Sequence, residues 1–286
     1  MEKFIDRIKQ VYPELSILTC KPNEIGQNNE VLIVNESFVF RFPKYQRGLE
    51  SLKKETEVVE AIKNKVSIPI PSPIYQSFEK WEVGKVFVGY QFIQGSPLWK
   101  TSFDSIKNED VLNRLASQLV NFLTEIHSFD KNNLSLEETN PREQMVDLYQ
   151  RIQNKLFPSM REEAQHQISD SFKTFLYSEA CSNISTTLVH GDFGATNILW
   201  DPTTYNISGI IDFGGSGIGD PAYDFAGILS SYGDDFFTMC LNLYPNGIEL
   251  AERVRFYKST FALQEALHGV ENDDLEAFEN GIKAYR

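Results

Sequence analysis

The segment Val189-His190-Gly191-Asp192-Phe193-Gly194-Ala195-Thr196-Asn197-Ile198-Leu199, followed by Gly209-Ile210-Ile211-Asp212-Phe213-Gly214, limits what this chain can fold into more than any other. Two short apolar runs, Thr187-Leu188-Val189 and Ile207 to Ile211, read as small strands separated by turn residues inside an otherwise helical stretch. Taken singly, an Asp or Asn in a loop is more often a turn former or a helix cap. An Asp-x-x-x-x-Asn unit followed by Asp-Phe-Gly, each beside a short apolar run, is not a product of turn chemistry.

Phosphoryl transfer asks for little covalent chemistry from the protein. It needs a carboxylate to orient the attacking hydroxyl and oxygen ligands to hold magnesium against the phosphates. Asp192 fits the first role, Asn197 supplies a neutral oxygen, and Asp212, at the end of an apolar strand, supplies an anionic one. Magnesium takes one or two carboxylates and leaves the rest of its shell to water and phosphate, which suits Asp212 with Asn197. His190, just before Gly-Asp, reads as a structural histidine that holds the loop.

The N-terminal part reads as β-rich with an inserted helix. Phe4, Ile5, Ile8 and Val11 have helical spacing up to Pro13. Strand-like runs follow at 16–20, 30–34 and 37–42, with Asn35-Glu36 as a tight turn, then a helix over 51–63 and strands at 74–78 and 85–93. Beyond Gly95-Ser96-Pro97 helical patterns take over, beginning with Leu112, Leu115, Leu119, Phe122 and Ile126 on one face. The expected class is α+β in two lobes, residues 1–94 binding nucleotide and 95–286 carrying the catalytic loop and acceptor-binding helices.

A phosphate-binding site also needs a cation and an acid to hold that cation. Lys44, ending the strand Val39-Phe40-Arg41-Phe42-Pro43, fits the cation, and Glu55 on the following helix fits the acid. Arg41 reads as a solvated strand residue. Gly26 falls between the first two strands, where a phosphate-covering loop belongs.

These residues resemble the aminoglycoside phosphotransferases, and more closely their 2''-phosphotransferase branch, over nearly the whole chain. The resemblance rests on His190-Gly191-Asp192 to Asn197, Ile211-Asp212-Phe213-Gly214 and Phe40-Arg41-Phe42-Pro43-Lys44. It implies a protein-kinase-like bilobal fold, Asp192 as catalytic aspartate, magnesium on Asn197 and Asp212, and Lys44 on the phosphates with Glu55 as its partner. It further implies GTP or ATP as donor, Tyr90 at the back of the base pocket, and Gln91, Phe92 and Ile93 as the hinge that reads the base. Two positions depart from the family pattern. Glu24 stands where the first of two loop glycines is expected, and Gly215 where the 2''-branch commonly has an acid after Asp-Phe-Gly. Asp220 and Asp224 read as loop organisers and helix caps.

The formal net charge of -13 argues against nucleic acid or an anionic membrane as partner, and favours a cationic small-molecule acceptor. Glu265, with Asp234 and Asp235, is the first choice for acids facing such an acceptor. No apolar run is long enough to span a bilayer and the first residues lack a signal-peptide pattern, so a cytoplasmic monomer is expected. Three widely separated cysteines, Cys20, Cys181 and Cys240, offer no metal-ligand spacing. Rival readings are a macrolide or other hydroxylated-metabolite kinase and, from another class, a non-catalytic nucleotide-binding module.

Overall fold

The computed structural model describes residues 1–23 and 28–286, so the expectations on Glu24 and Gly26 lie outside the described residues. Helix α1 (Glu2–Val11) leads into β1 (Cys20–Asn23), β2 (Asn29–Val34) and β3 (Phe38–Pro43), then α2 (Gln46–Ile62), β4 (Pro73–Ser77) and β5 (Phe87–Gln91). These strands form one antiparallel sheet in the order β1-β2-β3-β5-β4. Asn35 and Glu36 both take φ of 53°, the left-handed turn that joins β2 to β3 in register.

Period-two alternation divides this sheet between two helices. Phe40, Phe42 and Phe87 point to one face and pack with Phe4 and Ile8 of α1. Val86 and Val88 point to the other and pack with Leu49 and Leu52 of α2.

The first strand differs from expectation. Residues 16–19 are not in the ladder, because the Asn35 side chain takes their backbone groups. Its Oδ1 accepts from the N–H groups of Leu18 and Thr19 (2.8 and 3.1 Å), and its Nδ2 donates to Ser16 O (2.7 Å). Pairing begins only at Cys20. Helix α2 also begins earlier than expected, at Gln46. Gly48 and the absence of a side-chain cap at Tyr45 hide that start, while buried Leu49 anchors it.

The second half comprises β6 (Ser96–Pro97), α3 (Lys100–Asp104), α4 (Glu109–His127), α5 (Pro141–Lys155), α6 (Glu162–Leu176) and α7 (Glu179–Ser182). Then come β7 (Thr187–Val189), β8 (Ile198–Asp201), β9 (Asn206–Ile210), β10 (Gly217–Gly219), α8 (Ala222–Tyr232), α9 (Asp234–Leu243), α10 (Ala251–Glu271) and α11 (Leu275–Ile282). The architecture is α+β, a sheet-based N-lobe on a mainly helical C-lobe. A single large apolar cluster joins α4, α8, α9 and α10 to β8 and β9 and reaches up to Val58, Val59 and Ile62 of α2. The two lobes are therefore tied at the root of α2.

Asn108 caps α4 by accepting from the N–H groups of Asp110 and Val111, and the buried stripe Leu115, Leu119, Phe122 and Ile126 follows at helical spacing. Phe122 lies 5.8 Å from Phe193 with the rings 10° from parallel, so α4 supports the loop that carries Asp192. Truncation of Phe122 to Ala is expected to cost about 3–5 kcal/mol in urea denaturation, as for other fully buried phenylalanines. A loss under about 1 kcal/mol would mean that this contact supports nothing.

Candidate active site

The loop between β7 and β8 is held from below by a buried carboxylate. Asp224 of α8 is 0% exposed; its Oδ2 accepts from the N–H of His190 (2.8 Å) and its Oδ1 from the N–H of Gly191 (2.8 Å). Oδ2 also meets Nε2 of buried His127 at 3.1 Å, and His127 Nδ1 meets the Tyr244 hydroxyl at 3.0 Å. Burial alone would raise the Asp224 carboxyl, but the hydrogen bond and charge of His127 and the N–H of His190 outweigh it and hold it below the ordinary range.

His190 is fully buried with both ring nitrogens engaged. Nε2 lies 3.1 Å from Ile211 O and donates to it, while Nδ1 accepts from the N–H of Asp192 (3.2 Å). The bonded partners assign this neutral tautomer. With its lone pair on the Asp192 amide, His190 ties the Asp192 loop to the end of β9 and has no base function.

On this base the polar groups gather. Asn197 Nδ2 donates to Asp192 Oδ2 (2.8 Å) and to Asp192 O (2.9 Å), fixing the carboxylate. The N–H of Ile211 donates to Asn197 O (2.9 Å), which sets Asp212, the next residue, beside Asn197. Asp212 has φ of 61°, a left-handed conformation that Asp tolerates better than most residues, and its side chain is 52% exposed. Gly215 lies against Gly191, whose φ is +79° and whose added Cβ would stand 2.1 Å from Gly215 O. A Cβ at Gly215 would in turn meet the Gly191 carbonyl at 3.2 Å, a physical reason for glycine where the family pattern has an acid.

The cation in this cluster is Arg41. Its Nη1 forms the ion pair with Glu55 Oε1, and its Nη2 lies 3.5 Å from Asp212 Oδ1. Lys44 was expected to pair with Glu55, and strand parity explains the correction. Arg41 is two residues from Val39 and shares its face of the strand, from which it reaches Glu55 of α2, whereas Lys44 lies beyond the end of β3. Lys44 follows the strand end, its N–H on Asn28 O (3.0 Å). Glu55 is buried at 7% exposure, so the guanidinium serves as its counter-charge. Burial opposes the charge on Arg41, but Glu55, Tyr90 and Asp212 outweigh it and raise its pKa.

Tyr90 pairs with Val39 in the β3–β5 ladder, next to this cluster, and its hydroxyl is pushed up to about 12, first by burial. Gln91 ends β5 opposite Phe38, and the N–H of Phe92 donates to Ser37 O (2.7 Å). Ile93 turns toward β9, where an added Cβ on Gly209 would meet Ile93 Cγ2 at 2.5 Å.

The acids expected to face an acceptor are dispersed. Asp234 pairs with Arg255 (2.7 Å) in an exposed ion pair, Asp235 is exposed in the first turn of α9, and Glu265 is exposed on α10. Glu271 is taken by Arg151 (2.6 Å) and Lys155 (2.8 Å), whose hydrogen bonds draw its pKa down to about 2. Asp220 organises its loop: Oδ1 accepts from Ala222 N–H (2.9 Å), and Oδ2 from Arg253 Nε (2.7 Å) and the Tyr257 hydroxyl (3.0 Å). Sequence reasoning missed Tyr223, whose hydroxyl is raised first by burial and also by the charge of nearby Asp192.

Among the described residues, no cluster of three or more His, Cys, Asp or Glu side chains gathers to hold a metal ion. The oxygen set at Asp212 and Asn197 nevertheless suits magnesium, which relies on phosphate for much of its shell. The Asn197 amide nitrogen is spent on Asp192, so its oxygen is the atom left for a ligand.

Removing Arg41 strands a buried carboxylate. Arg41→Ala is expected to lower stability by about 3–5 kcal/mol in chemical denaturation. The Asp224 carboxyl, depressed in the folded state, adds stability that is present above the ordinary Asp value of about 3.9 and is lost as pH falls through the depressed value. Denaturation across that acid range should therefore show a shallower pH slope for Asp224→Asn than for the parent, and equal slopes would contradict this assignment.

A model of the phosphotransferase enzyme family matches residues 19–274. Viomycin phosphotransferase of Streptomyces vinaceus is 27% identical over 271 residues, covering 91% of each chain. The structure of the GDP and kanamycin complex of APH(2")-IIia aligns with TM-score 0.91 and 25% identity over 99% of this chain and 97% of that one. A macrolide 2'-phosphotransferase from Brachybacterium faecium shares the fold, with TM-score 0.77 and 17% identity over 98% and 97%. The kinase-like lobes, the Asp-x-x-x-x-Asn loop and the match along most of its length show that the chain belongs to the phosphotransferase enzyme family.

Proposed function

We propose that this protein moves the γ-phosphoryl group of GTP or ATP, in the presence of magnesium, onto a hydroxyl of an antibiotic, with an aminoglycoside as the first acceptor class. The observation that carries the reading is the fixed Asp192 carboxylate. It is held by the Asn197 amide, on a loop pinned by Asp224, next to Asp212 and the Arg41 guanidinium. The nucleotide and kanamycin complex of a relative 25% identical supports the same pairing of donor and acceptor.

In this mechanism Asp192 orients the acceptor hydroxyl and takes up its proton as the oxygen attacks the γ-phosphorus. The bond from that phosphorus to the β,γ-bridging oxygen breaks, leaving nucleoside diphosphate and a phosphorylated acceptor. Asp212 and the Asn197 oxygen would hold magnesium, which would supply positive charge against the phosphate oxygens. Arg41, fixed by Glu55, sits where it can meet the same charge, and the proposal gives it the role that the sequence reading gave to Lys44. The backbone of Gln91 and Ile93 reads the base, since the N–H of Phe92 is spent on Ser37. The protein acts as a cytoplasmic monomer; no helix among its described residues is long and apolar enough to cross a membrane.

Phosphate transfer to kanamycin-type, viomycin-type and macrolide acceptors, read by mass with each triphosphate, tests the assignment. Turnover of a kanamycin-type compound is expected, and protection of cells against macrolides alone would remove the aminoglycoside reading. Asp192→Ala should lower kcat by about 10²–10⁴, the usual range for a positioned acid–base group, with unchanged nucleotide binding. Full activity in that variant would reject the aspartate's role. On this reading Tyr90 narrows the adenine side of the base pocket, so GTP should turn over at least as well as ATP in direct competition, and strict ATP use would reject this.

A further inference from the structure

A cavity opens on the β4 side of the N-lobe sheet, between the segment 66–72 that follows α2 and the segment 91–94 that leaves β5. Proline chemistry explains the gap. Pro69 and Pro71 have no N–H to offer, so the β4 ladder does not extend upstream along 91–94, and pairing starts only at Pro73 opposite Tyr90. Both walls are nevertheless fixed. Pro69 O accepts from the N–H of Ile210 (3.0 Å), Glu125 of α4 accepts from the N–H and hydroxyl of Ser67 (2.8 and 3.1 Å), and the N–H of Phe92 is held on Ser37 O. Gly209 lets the two walls meet on β9, since an added Cβ there would stand 2.5 Å from Ile93 Cγ2 and 3.2 Å from Pro69 O.

The cavity measures about 650 Å³, within the span of about 300–1,000 Å³ usual for small-molecule sites. Its lining is largely apolar, with Val66, Ile68, Ile70, Phe92 and Ile93 inside and Ile74, 52% exposed, at the rim. No carboxylate lines it, and its cation, Lys63, is already paired with Glu60 (2.6 Å). Ser208 Oγ, in contrast, is buried in the lining without a hydrogen-bond partner among the described residues. A buried hydroxyl left so costs free energy that a bound partner would recover, and it can both donate and accept. None of the lining comes from β1, β2, β3 or the Asp192 loop, so the cavity is separate from the cluster of Arg41, Asp192 and Asp212. An extended peptide added to the sheet does not fit the edge beside it. The Tyr12 hydroxyl covers that edge of β4, donating to Gln76 O and accepting from the Gln76 N–H (2.9 Å each).

We propose that this cavity is a second binding site, for a neutral, mostly apolar small molecule with one hydroxyl or comparable group that pairs with Ser208. The site uses none of the groups assigned to phosphoryl transfer, so it stands or falls apart from that reading.

The test is titration calorimetry with 2-naphthol at neutral pH, a neutral bicyclic probe with one hydroxyl, without GDP and with GDP in excess. A single site is expected, with affinity the same within about twofold in both conditions. Ile74→Trp, which places a ring over the rim, should weaken binding about tenfold or more. Ser208→Ala should weaken it about fivefold, the worth of one hydrogen bond, and keeps the test if the tryptophan disturbs the fold. Absence of binding up to the solubility limit of the probe, displacement of the probe by GDP, or parent-like affinity in Ser208→Ala would each overturn the site.

Discussion

A single buried carboxylate organises the chemistry of this protein. Asp224 lies at the bottom of the C-lobe core, and the energetic cost of burying its charge is offset only by the donors that surround it. Two of those donors are the backbone N–H groups of His190 and Gly191, so the same interaction that makes the charge tolerable also fixes the loop that ends in Asp192. The third, His127, is the last residue of the α4 core stripe, which links loop position to the packing of that helix. A shift of the loop would leave a buried anion short of partners, and this gives the loop a stiffness that its own few residues do not provide.

The upper half of the site follows the same logic with opposite charge. Glu55 is buried on α2 and needs a cation, and Arg41 meets it while also reaching Asp212. Since α2 is anchored at its far end in the C-lobe core, the ion pair connects the N-lobe sheet, α2 and the strand-end aspartate in one arrangement. A guanidinium has five donors in a planar fork and can satisfy two carboxylates at once, which an ammonium on a flexible stem does less well.

Much of this was legible in the sequence. Alternation and helical spacing marked most strands and helices, and the three-part loop pointed to Asp192, Asn197 and Asp212, which the fold brings together. Arg41 was missed although its signal was present. Counting parity from Phe40 and Phe42 would have placed it toward α2. Other features had no local signal. The Asn35 side chain displaces a strand start by bonding sixteen to nineteen residues back along the chain, and His127 reads simply as the end of an apolar stripe. The Tyr223–Gln264 and Arg47–Asn272 hydrogen bonds bring together residues from α2, α8, α10 and its C-cap, a juxtaposition that only the tertiary fold creates.

The central claim is that Asp212, the Asn197 oxygen and a nucleotide's phosphates share one metal position under Arg41. Anomalous diffraction from crystals grown with manganese and GDP tests it most directly. The account predicts a manganese peak between the Asp212 carboxylate and the Asn197 side-chain oxygen, with the β-phosphate on its other side. A peak bound elsewhere, or nucleotide phosphates lying away from Arg41 and Asp212, would contradict it.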